Sequence, residues 1–148
     1  MITNFKKTEN IENFSNEEIN LYKGKGIQLI VENKIGVIVL AGGQGTRLGL
    51  YKPKGTLELN GKSLFQIHAE KIKHFVKIFC VKDVPVKIPW YIMTSCNTHD
   101  DIVQYFEEND YFGLERTDVT FFEQGNNYCL DEIGGNKIVN KYDRNGKL

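Results

Sequence analysis

The stretch Val37–Gly55, VIVLAGGQGTRLGLYKPKG, contains the pattern that decides the fold. Its apolar start extends back to Ile35, and a continuous β-branched run such as Ile35–Leu40 is typical of a strand buried on both faces of a parallel sheet. A loop with five glycines, Arg47 and Lys54 follows directly. A buried strand that opens into glycine-rich backbone and cationic side chains predicts an anion-binding loop at the strand's end.

Two common nucleotide-binding templates do not fit this loop. A dinucleotide fingerprint starting at Gly43 needs a third glycine where Leu48 stands, and no glycine is followed by Gly-Lys-Ser/Thr at P-loop spacing. The physical features of a phosphate site remain, because the loop combines approachable backbone N–H groups, a guanidinium fork and a compact ammonium group. The residues that supply them are Gly42, Gly43, Gly45, Arg47 and Lys54.

The rest of the chain alternates helical and strand patterns. Ser15 and Glu18 form a capping-box sequence that predicts the start of a helix. Because Gly24 and Gly26 weaken its middle, the sequence predicts one long helix and two shorter helices equally well. Its predicted apolar face is Ile19, Tyr22, Ile27, Ile30 and Val31. The later predicted elements are a tight turn at Asn60-Gly61, a helix over residues 64–79, a strand over Pro89–Ser95, a helix capped by Thr98 and Asp101, a strand over Asp118–Gly125, and a further strand within residues 137–147 that runs into an Asn145-Gly146 turn.

This alternation predicts an α/β fold with a mostly parallel sheet and right-handed crossovers. In such sheets ligands bind beyond the carboxyl ends of the strands. Three loops leave those ends, Ala41–Gly55, Ser95–Thr98 and Gln124–Asn127. We therefore expect these loops to meet in space, although they lie far apart in the sequence.

Composition limits the classes of partner. The 148 residues include 19 basic and 19 acidic side chains, so no overall positive field favours nucleic acid or an anionic membrane. The apolar runs are far shorter than the ~20 residues that span a bilayer. Three widely spaced cysteines fit neither a disulfide framework nor a zinc site, and together with a polar amino terminus they predict a cytoplasmic protein.

The loop and its surroundings resemble the eukaryotic-type UDP-N-acetylglucosamine pyrophosphorylases of the UDPGP type 1 family. The likeness extends from LAGGQGTRLGLYKPKG to LYKGKGIQLIVENK before it and to SLFQIHAEKI, PWYIMTS and YFGLERTDVTFFEQG after it, over roughly residues 15–140. Ala41 and Arg47 stand where related UDP-glucose enzymes have asparagine and serine. The sequence is therefore more similar to the N-acetylhexosamine branch.

The resemblance implies a Rossmann-like, three-layer nucleotide-binding fold of the nucleotidyltransferase, glycosyltransferase-A-like kind, here incomplete. It implies an N-terminal helical segment over residues 1–33 and the N-terminal part of the catalytic domain over residues 34–148. The implied reaction converts UTP and N-acetylglucosamine 1-phosphate into UDP-N-acetylglucosamine and pyrophosphate with Mg²⁺. No protein ligand for the metal and no oligomeric state follow from the sequence.

The resemblance also implies roles for individual residues. Arg47 and Lys54 are expected to be catalytic, neutralising the triphosphate and the transition state. The expected nucleotide-binding residues are Leu40, Ala41, Gly42 and Gly43 toward the uridine, Gly45 and Thr46 around the phosphates, and Gln124 on the uracil edge.

The sequence departs from the family pattern after Gly125. Asn126–Leu130 stands where the family has an apolar stretch with proline, and Leu148 comes before the Asp-Gly-Asn-Gly-Gly-type loop of the family. Two hypotheses follow, an N-terminal part of a pyrophosphorylase that is inactive alone, or a short uridine-nucleotide-binding protein without turnover. A pyrophosphorylase for another UDP-sugar is a further alternative.

Six further side chains have chemistry that could suggest a function, but we interpret them as structural or surface residues. Trp90 and Tyr91 are expected to be packing residues, and Cys96 a bystander thiol. The three histidines, His68, His74 and His99, lack metal-ligand spacing and are expected on the surface or on helix faces.

Overall fold

The computed structural model describes residues 10–45, 49, 52–80, 85–125, 129–130 and 138–139. In this part of the chain, helices pack on one side of a small parallel sheet. The helices are α1 (Asn16–Val31), α2 (Leu64–Phe79) and α3 (His99–Glu108), and the strands are β1 (Val37–Leu40), β2 (Glu58–Leu59), β3 (Lys62–Ser63), β4 (Trp90–Thr94), β5 (Val119–Glu123), β6 (Cys129–Leu130) and β7 (Ile138–Val139).

The main sheet consists of β1, β4 and β5 in the order β1-β4-β5, with both pairs parallel. The register places Val37 beside Trp90, and Trp90 beside Val119. This arrangement confirms the predicted α/β class with a parallel sheet. The crossover from β1 to β4 contains α2, and the crossover from β4 to β5 contains α3.

Two small antiparallel pairs accompany the main sheet. β2 and β3 form a hairpin whose turn residues, Asn60 and Gly61, both have positive φ, 53° and 76°. Asn-Gly is the sequence that favours such a turn, so the predicted turn is confirmed. The other pair, β6 with β7, includes two residues of the strand predicted within 137–147, whose Asn145-Gly146 turn lies outside the described residues.

The hydrophobic core lies between the sheet and helices α2 and α3. Trp90 is fully buried at its centre and makes ring contacts with Phe65 of α2 and Phe106 of α3. Burying large aromatic side chains contributes more to stability than any other packing in a domain of this size. The prediction that Trp90 is a packing residue is confirmed.

The prediction that the first strand is buried on both faces is wrong. Val37 and Val39 point into the core, whereas Ile38 and Leu40 are 60% and 71% exposed. The reason is that helices of the described chain cover only one face of the sheet. We call the other side the open face, formed by Ile38, Leu40, Tyr91, Met93, Thr120 and Phe122. Tyr91 lies there, 41% exposed, so its predicted packing role is wrong.

Helix α1 is a single helix that runs through both glycines. Ser15 and Glu18 form the predicted capping box, with the Glu18 N–H donating to Ser15 Oγ and the Ser15 N–H donating to the Glu18 carboxylate. The predicted apolar face is mostly solvent-exposed, and of its members Ile30 packs against the core. No helix among the described residues is long and apolar enough to cross a membrane.

Candidate functional site

The carboxyl ends of the three parallel strands are joined directly by backbone hydrogen bonds. The Ala41 N–H, just beyond β1, donates to the Met93 carbonyl across 2.7 Å. The Gln124 N–H, just beyond β5, donates to the Thr94 carbonyl across 2.9 Å. The three loops predicted to converge therefore begin side by side at one edge of the sheet.

Ser95 links the loop after β4 to the glycine loop. Its hydroxyl donates to the Gly42 carbonyl across 2.9 Å, and its N–H donates to Thr98 Oγ1 across 3.1 Å. The two hydroxyl oxygens lie 3.0 Å apart, so the Thr98 proton can go to Ser95 Oγ. Both side chains are buried, and buried hydroxyl groups need such partners. Ser95 holds the backbone of the glycine loop in place.

Gly42 faces the side chain of Gln124. A Cβ atom on residue 42 would lie 3.0 Å from both Cδ and Oε1 of Gln124. Only glycine leaves room for this approach without displacing the amide. Two predicted nucleotide-binding residues, 82 positions apart in the sequence, are thus neighbours.

A cleft of about 210 Å³ opens beside this edge. Four of the predicted site residues line it, namely Leu40, Ala41, Gly43 and Lys54. The remaining lining residues are Val39, Gly55, Leu64, Phe65 and His68. The structure therefore brings the predicted lysine to the glycine loop, and Lys54 makes no ion pair with any other described residue.

The position of Lys54 depends on the next residue. A Cβ atom on Gly55 would lie 2.1 Å from Cζ of the buried Phe65 ring, so only glycine fits against the start of α2. Pro53 on the other side is also buried. Packing on both sides fixes the backbone at Lys54, which lines the cleft.

His68 is the lining residue that sequence reasoning did not single out as part of a site. Its ring meets the edge of Trp90 at a centroid distance of 6.5 Å. Partial burial lowers the pKa of His68 below its ordinary value of 6.5, and the nearby Lys71 charge lowers it further. The helical spacing of the apolar residues in α2 could have placed it beside Leu64 and Phe65 on the inner side.

A polar cluster holds the first residue of α3 against the strand ends. The Thr94 hydroxyl donates to the Phe122 carbonyl across 3.1 Å, so its oxygen accepts from His99 Nδ1 at 2.9 Å. Glu123 Oε1 lies 3.9 Å from the same nitrogen. These contacts make His99 Nδ1 a hydrogen-bond donor and fix the loop that carries Ser95.

Of the three remaining predicted site residues, the structure describes one, Gly45. Gly45 is buried with φ of 70°, a conformation that favours glycine. Thr46 and Arg47 lie outside the described residues, so their predicted roles stay predictions. Among the described residues, no group of three or more His, Cys, Asp or Glu side chains could hold a metal ion.

In this structure a glycine loop leaves the first strand of a parallel sheet and contacts the ends of the other two strands. This arrangement is typical of α/β proteins that bind ligands beyond the carboxyl ends of their strands. The chain belongs to the UTP–glucose-1-phosphate uridylyltransferase family, whose sequence profile matches residues 2–143. The match covers almost the whole chain, including the glycine loop and all three parallel strands.

Individual relatives have more specific names. UDP-N-acetylglucosamine diphosphorylase 2 of Arabidopsis thaliana is 41% identical over 139 residues, which cover 84% of this chain and 26% of the relative. UDP-N-acetylglucosamine pyrophosphorylase of Saccharomyces cerevisiae is 46% identical over 118 residues, 78% of this chain and 24% of the relative.

A solved structure shows the same fold. The crystal structure of the uridine diphosphate N-acetylglucosamine pyrophosphorylase from Trypanosoma brucei superimposes with a TM-score of 0.74 at 37% identity, over 83% of this chain and 25% of that one. The chain thus spans about a quarter of the length of the relatives it matches. The predicted membership in a Rossmann-like nucleotidyltransferase family is confirmed, and the described chain represents part of such a domain.

Proposed function

We propose that the cleft beside the glycine loop binds UTP and that the chain is the nucleotide-binding part of a uridylyltransferase. The enzyme would make UDP-N-acetylglucosamine and pyrophosphate from UTP and N-acetylglucosamine 1-phosphate. The observation that supports the site best is the junction of Gly42, Ser95 and Gln124 at the strand ends, with Lys54 in the adjoining cleft. The names of the relatives support this particular reaction.

In this proposal different groups of the protein contact the uridine and the phosphates of the nucleotide. The uracil edge pairs with the Gln124 side-chain amide, which can both donate and accept hydrogen bonds. Backbone around Gly42 and Gly43 approaches the uridine closely, with Leu40 and Ala41 beside it, because glycine leaves the main chain accessible. Gly45 and Thr46 surround the phosphates, and Arg47 and Lys54 neutralise them.

The proposed reaction is an in-line displacement. A phosphate oxygen of the sugar phosphate forms a bond to the α-phosphorus of UTP. The bond from that phosphorus to the bridging oxygen breaks, and pyrophosphate leaves with the electron pair. Two anionic reactants must meet and the leaving group gains charge, so positioning and electrostatic stabilisation supply most of the catalysis.

Lys54 suits this electrostatic role because it has no competing anion among the described residues. Two unit charges 4 Å apart attract by about 4 kcal/mol at an effective dielectric of 20, against about 1 kcal/mol in water. Lys54 is exposed where it lines the cleft, so its attraction to a phosphate lies between these two limits. The ammonium group is therefore available to a polyphosphate at little cost in lost contacts.

Magnesium enters the proposal with the nucleotide. Mg²⁺ commonly binds substrate phosphates, keeps several waters and uses only one or two protein carboxylates. The described residues offer no multidentate site of their own, so no side chain of this chain is assigned to the ion and no step is derived through it. We also propose a cytoplasmic location, which the odd number of widely spaced cysteines supports.

Isothermal titration of the full 148-residue chain with UTP tests the binding site. We expect saturable heat at submillimolar UTP and at least a tenfold weaker response from Gln124→Ala. No detectable heat at millimolar UTP would contradict the proposal. A pyrophosphate-release assay with UTP and a panel of sugar 1-phosphates then tests the reaction. Binding without turnover, even in the longest polypeptide that the gene encodes, would favour a non-catalytic nucleotide-binding protein.

A further inference from the structure

A series of hydrogen bonds connects the first residue of α3 to the ends of two strands. His99 Nδ1 donates to Thr94 Oγ1 across 2.9 Å, and the Thr94 hydroxyl donates to the Phe122 carbonyl across 3.1 Å. The Thr94 side chain is completely buried, so its oxygen depends on protein partners for its hydrogen bonds. His99 is therefore the donor that completes a buried link between β4 and β5.

The same threonine also holds the backbone of Gln124. The Thr94 carbonyl accepts from the Gln124 N–H across 2.9 Å. Thr94 thus binds the end of β5 at two points, Phe122 through its side chain and Gln124 through its main chain. Two contacts that lie two residues apart set both the position and the direction of the backbone from which the Gln124 side chain extends.

The Gln124 side chain meets a loop that has its own support. Its amide lies against Gly42, where an added Cβ atom would be 3.0 Å from Oε1. The Gly42 carbonyl in turn accepts from the Ser95 hydroxyl across 2.9 Å. A small backbone movement at Gln124 would therefore turn the amide relative to a glycine loop that stays in place.

Glu123 adds a weaker contact to the cluster. Its Oε1 lies 3.9 Å from His99 Nδ1, beyond hydrogen-bonding distance, and the two side chains are 50% and 30% exposed. Attraction between charges at such exposure is small. The 2.9 Å bond to Thr94 is therefore the contact through which His99 acts on the strand ends.

The phosphate end of the proposed site is supported by different contacts. Lys54 lines the cleft on a backbone that is held by the buried Pro53 and by the close approach of Gly55 to the Phe65 ring. The hydrogen bonds of His99 join α3 to β4 and β5 and do not involve this segment. The base end and the phosphate end can therefore be disturbed separately.

We propose that His99 is a positioning residue for base recognition, which acts through Thr94 to orient the Gln124 amide toward the uracil ring. This inference rests on the proposed function, in which Gln124 binds the uracil edge. His99 itself touches neither the nucleotide nor the reacting phosphorus. Its contribution is to affinity for the base and not to transfer of the uridylyl group.

Calorimetry with two anions tests this assignment on the full 148-residue chain. UTP reports on both ends of the site, whereas inorganic tripolyphosphate has no base and reports on the phosphate end alone. We expect His99→Ala to raise the Kd for UTP about fivefold, the loss expected for one neutral hydrogen bond, and to change the Kd for tripolyphosphate less than about twofold. His99→Asn places an amide N–H near the position of Nδ1 and should recover most of the UTP affinity.

Two further variants make the comparison specific. Gln104→Ala is the matched control, because it removes another polar side chain of α3, one that is exposed and bonds to Glu108. It should change neither Kd. His99→Leu fills a similar space without a donor, so it serves where His99→Ala does not fold and should show the same difference between the two anions.

Amide hydrogen exchange tests the link without any nucleotide. In His99→Ala the Gln124 N–H should exchange at least about fivefold faster, because the end of β5 opens more often. The Ala41 N–H, which donates to the Met93 carbonyl, should keep its rate.

Three outcomes would overturn the proposal. One is unchanged exchange at Gln124 in His99→Ala, whether or not the chain binds UTP. Another is equal weakening of UTP and tripolyphosphate binding, and the third is failure of His99→Asn to recover affinity that His99→Ala loses. Faster exchange at Gln124 in a chain that binds no UTP would refute the proposed function and would still support the link between His99 and Gln124.

Discussion

The Cα of Gly42 lies so close to the Gln124 side chain that a Cβ atom at residue 42 would be 3.0 Å from the Gln124 amide oxygen. Replacing Gly42 with alanine must therefore shift the amide by a few tenths of an ångström. We expect Gly42→Ala to weaken UTP binding about tenfold, because the shifted amide is misaligned for its hydrogen bonds to the base. Titration calorimetry measures the change.

Gly125→Ala is the matched control for this substitution. A Cβ atom at residue 125 meets no atom within 4 Å, and the residue lies directly beside Gln124. Its UTP affinity should stay within a factor of two of the original. Equal weakening by both substitutions would show that the loss at residue 42 does not come from contact with the amide.

Lys54 is expected to contribute directly to nucleotide affinity. Lys54→Ala should raise the Kd for UTP roughly thirtyfold, which corresponds to about 2 kcal/mol for one charge-assisted contact. Thermal stability should not fall, since Lys54 makes no ion pair with another described residue. Lys52→Ala removes an exposed charge two residues away that does not line the cleft, and it should change Kd less than threefold. A similar loss from both variants would indicate general electrostatics rather than a site.

Ser95→Ala should lower the free energy of unfolding by about 2 kcal/mol. The substitution removes the donor to the Gly42 carbonyl and the acceptor of the Thr98 hydroxyl proton, and unsatisfied buried groups cost about 1–3 kcal/mol each. UTP affinity should fall as well, because the glycine loop loses its tether. Urea unfolding gives the first quantity and calorimetry the second. Thr117→Ala, which removes an exposed hydroxyl, should stay within about 0.5 kcal/mol.

The lowered pKa of His68 gives stability a pH dependence of defined sign. The unfolded chain binds more protons at this residue than the folded chain does once the pH drops below about 6.5, so the contribution present above that pH is lost as pH falls. NMR titration of the imidazole should show a pKa below 6.5, and Lys71→Ala should move it upward.

His68→Gln should flatten the change in urea stability between pH 7.5 and pH 5.5. The lowered pKa values of Glu18, Glu32 and Glu70 act at lower pH, below their ordinary value of 4.5, and leave this window unaffected. An imidazole that titrates at or above 6.5 would contradict the partly buried position of the ring in the cleft.

Gly24→Ala should stabilise α1 by up to about 1 kcal/mol, because alanine loses less backbone entropy in a helix. A Cβ atom there meets nothing within 4 Å. Amide hydrogen exchange across α1 and urea unfolding measure the effect. Gly61→Ala has equally open surroundings but a φ of 76°, so it should destabilise the protein by about 1 kcal/mol. Stabilisation by both would mean that unfolded-state entropy, and not native conformation, controls the result.

Local patterns predicted most of the elements within one or two residues of their observed bounds. The capping box at Ser15 and the Asn60-Gly61 turn depend on contacts between near neighbours in the chain, which the sequence specifies directly. The convergence of the glycine loop with Ser95 and Gln124 was also predictable, because parallel strands have their carboxyl ends at one edge.

Features that depend on packing between distant segments were not predictable. An apolar run does not show which of its residues the helices cover, and Ile38 and Leu40 are exposed. The hydrogen bond from the Ser95 hydroxyl to the Gly42 carbonyl had no sequence signal, because a single hydroxyl between a strand and a helix resembles any other loop serine. His68 became a cleft residue only through the rotation of α2 against β4.

The sequence by itself determined the family and the order of strands and helices, and it predicted an anion site at the glycine loop, since these depend on spacing along the chain. Only the tertiary structure decided that Gly42 meets Gln124, that Lys54 lines the cleft, and that the described helices leave one side of the sheet uncovered. The physical reason is that side-chain proximity and burial arise from the packing of elements against one another. That packing depends on residues that lie far apart in the sequence.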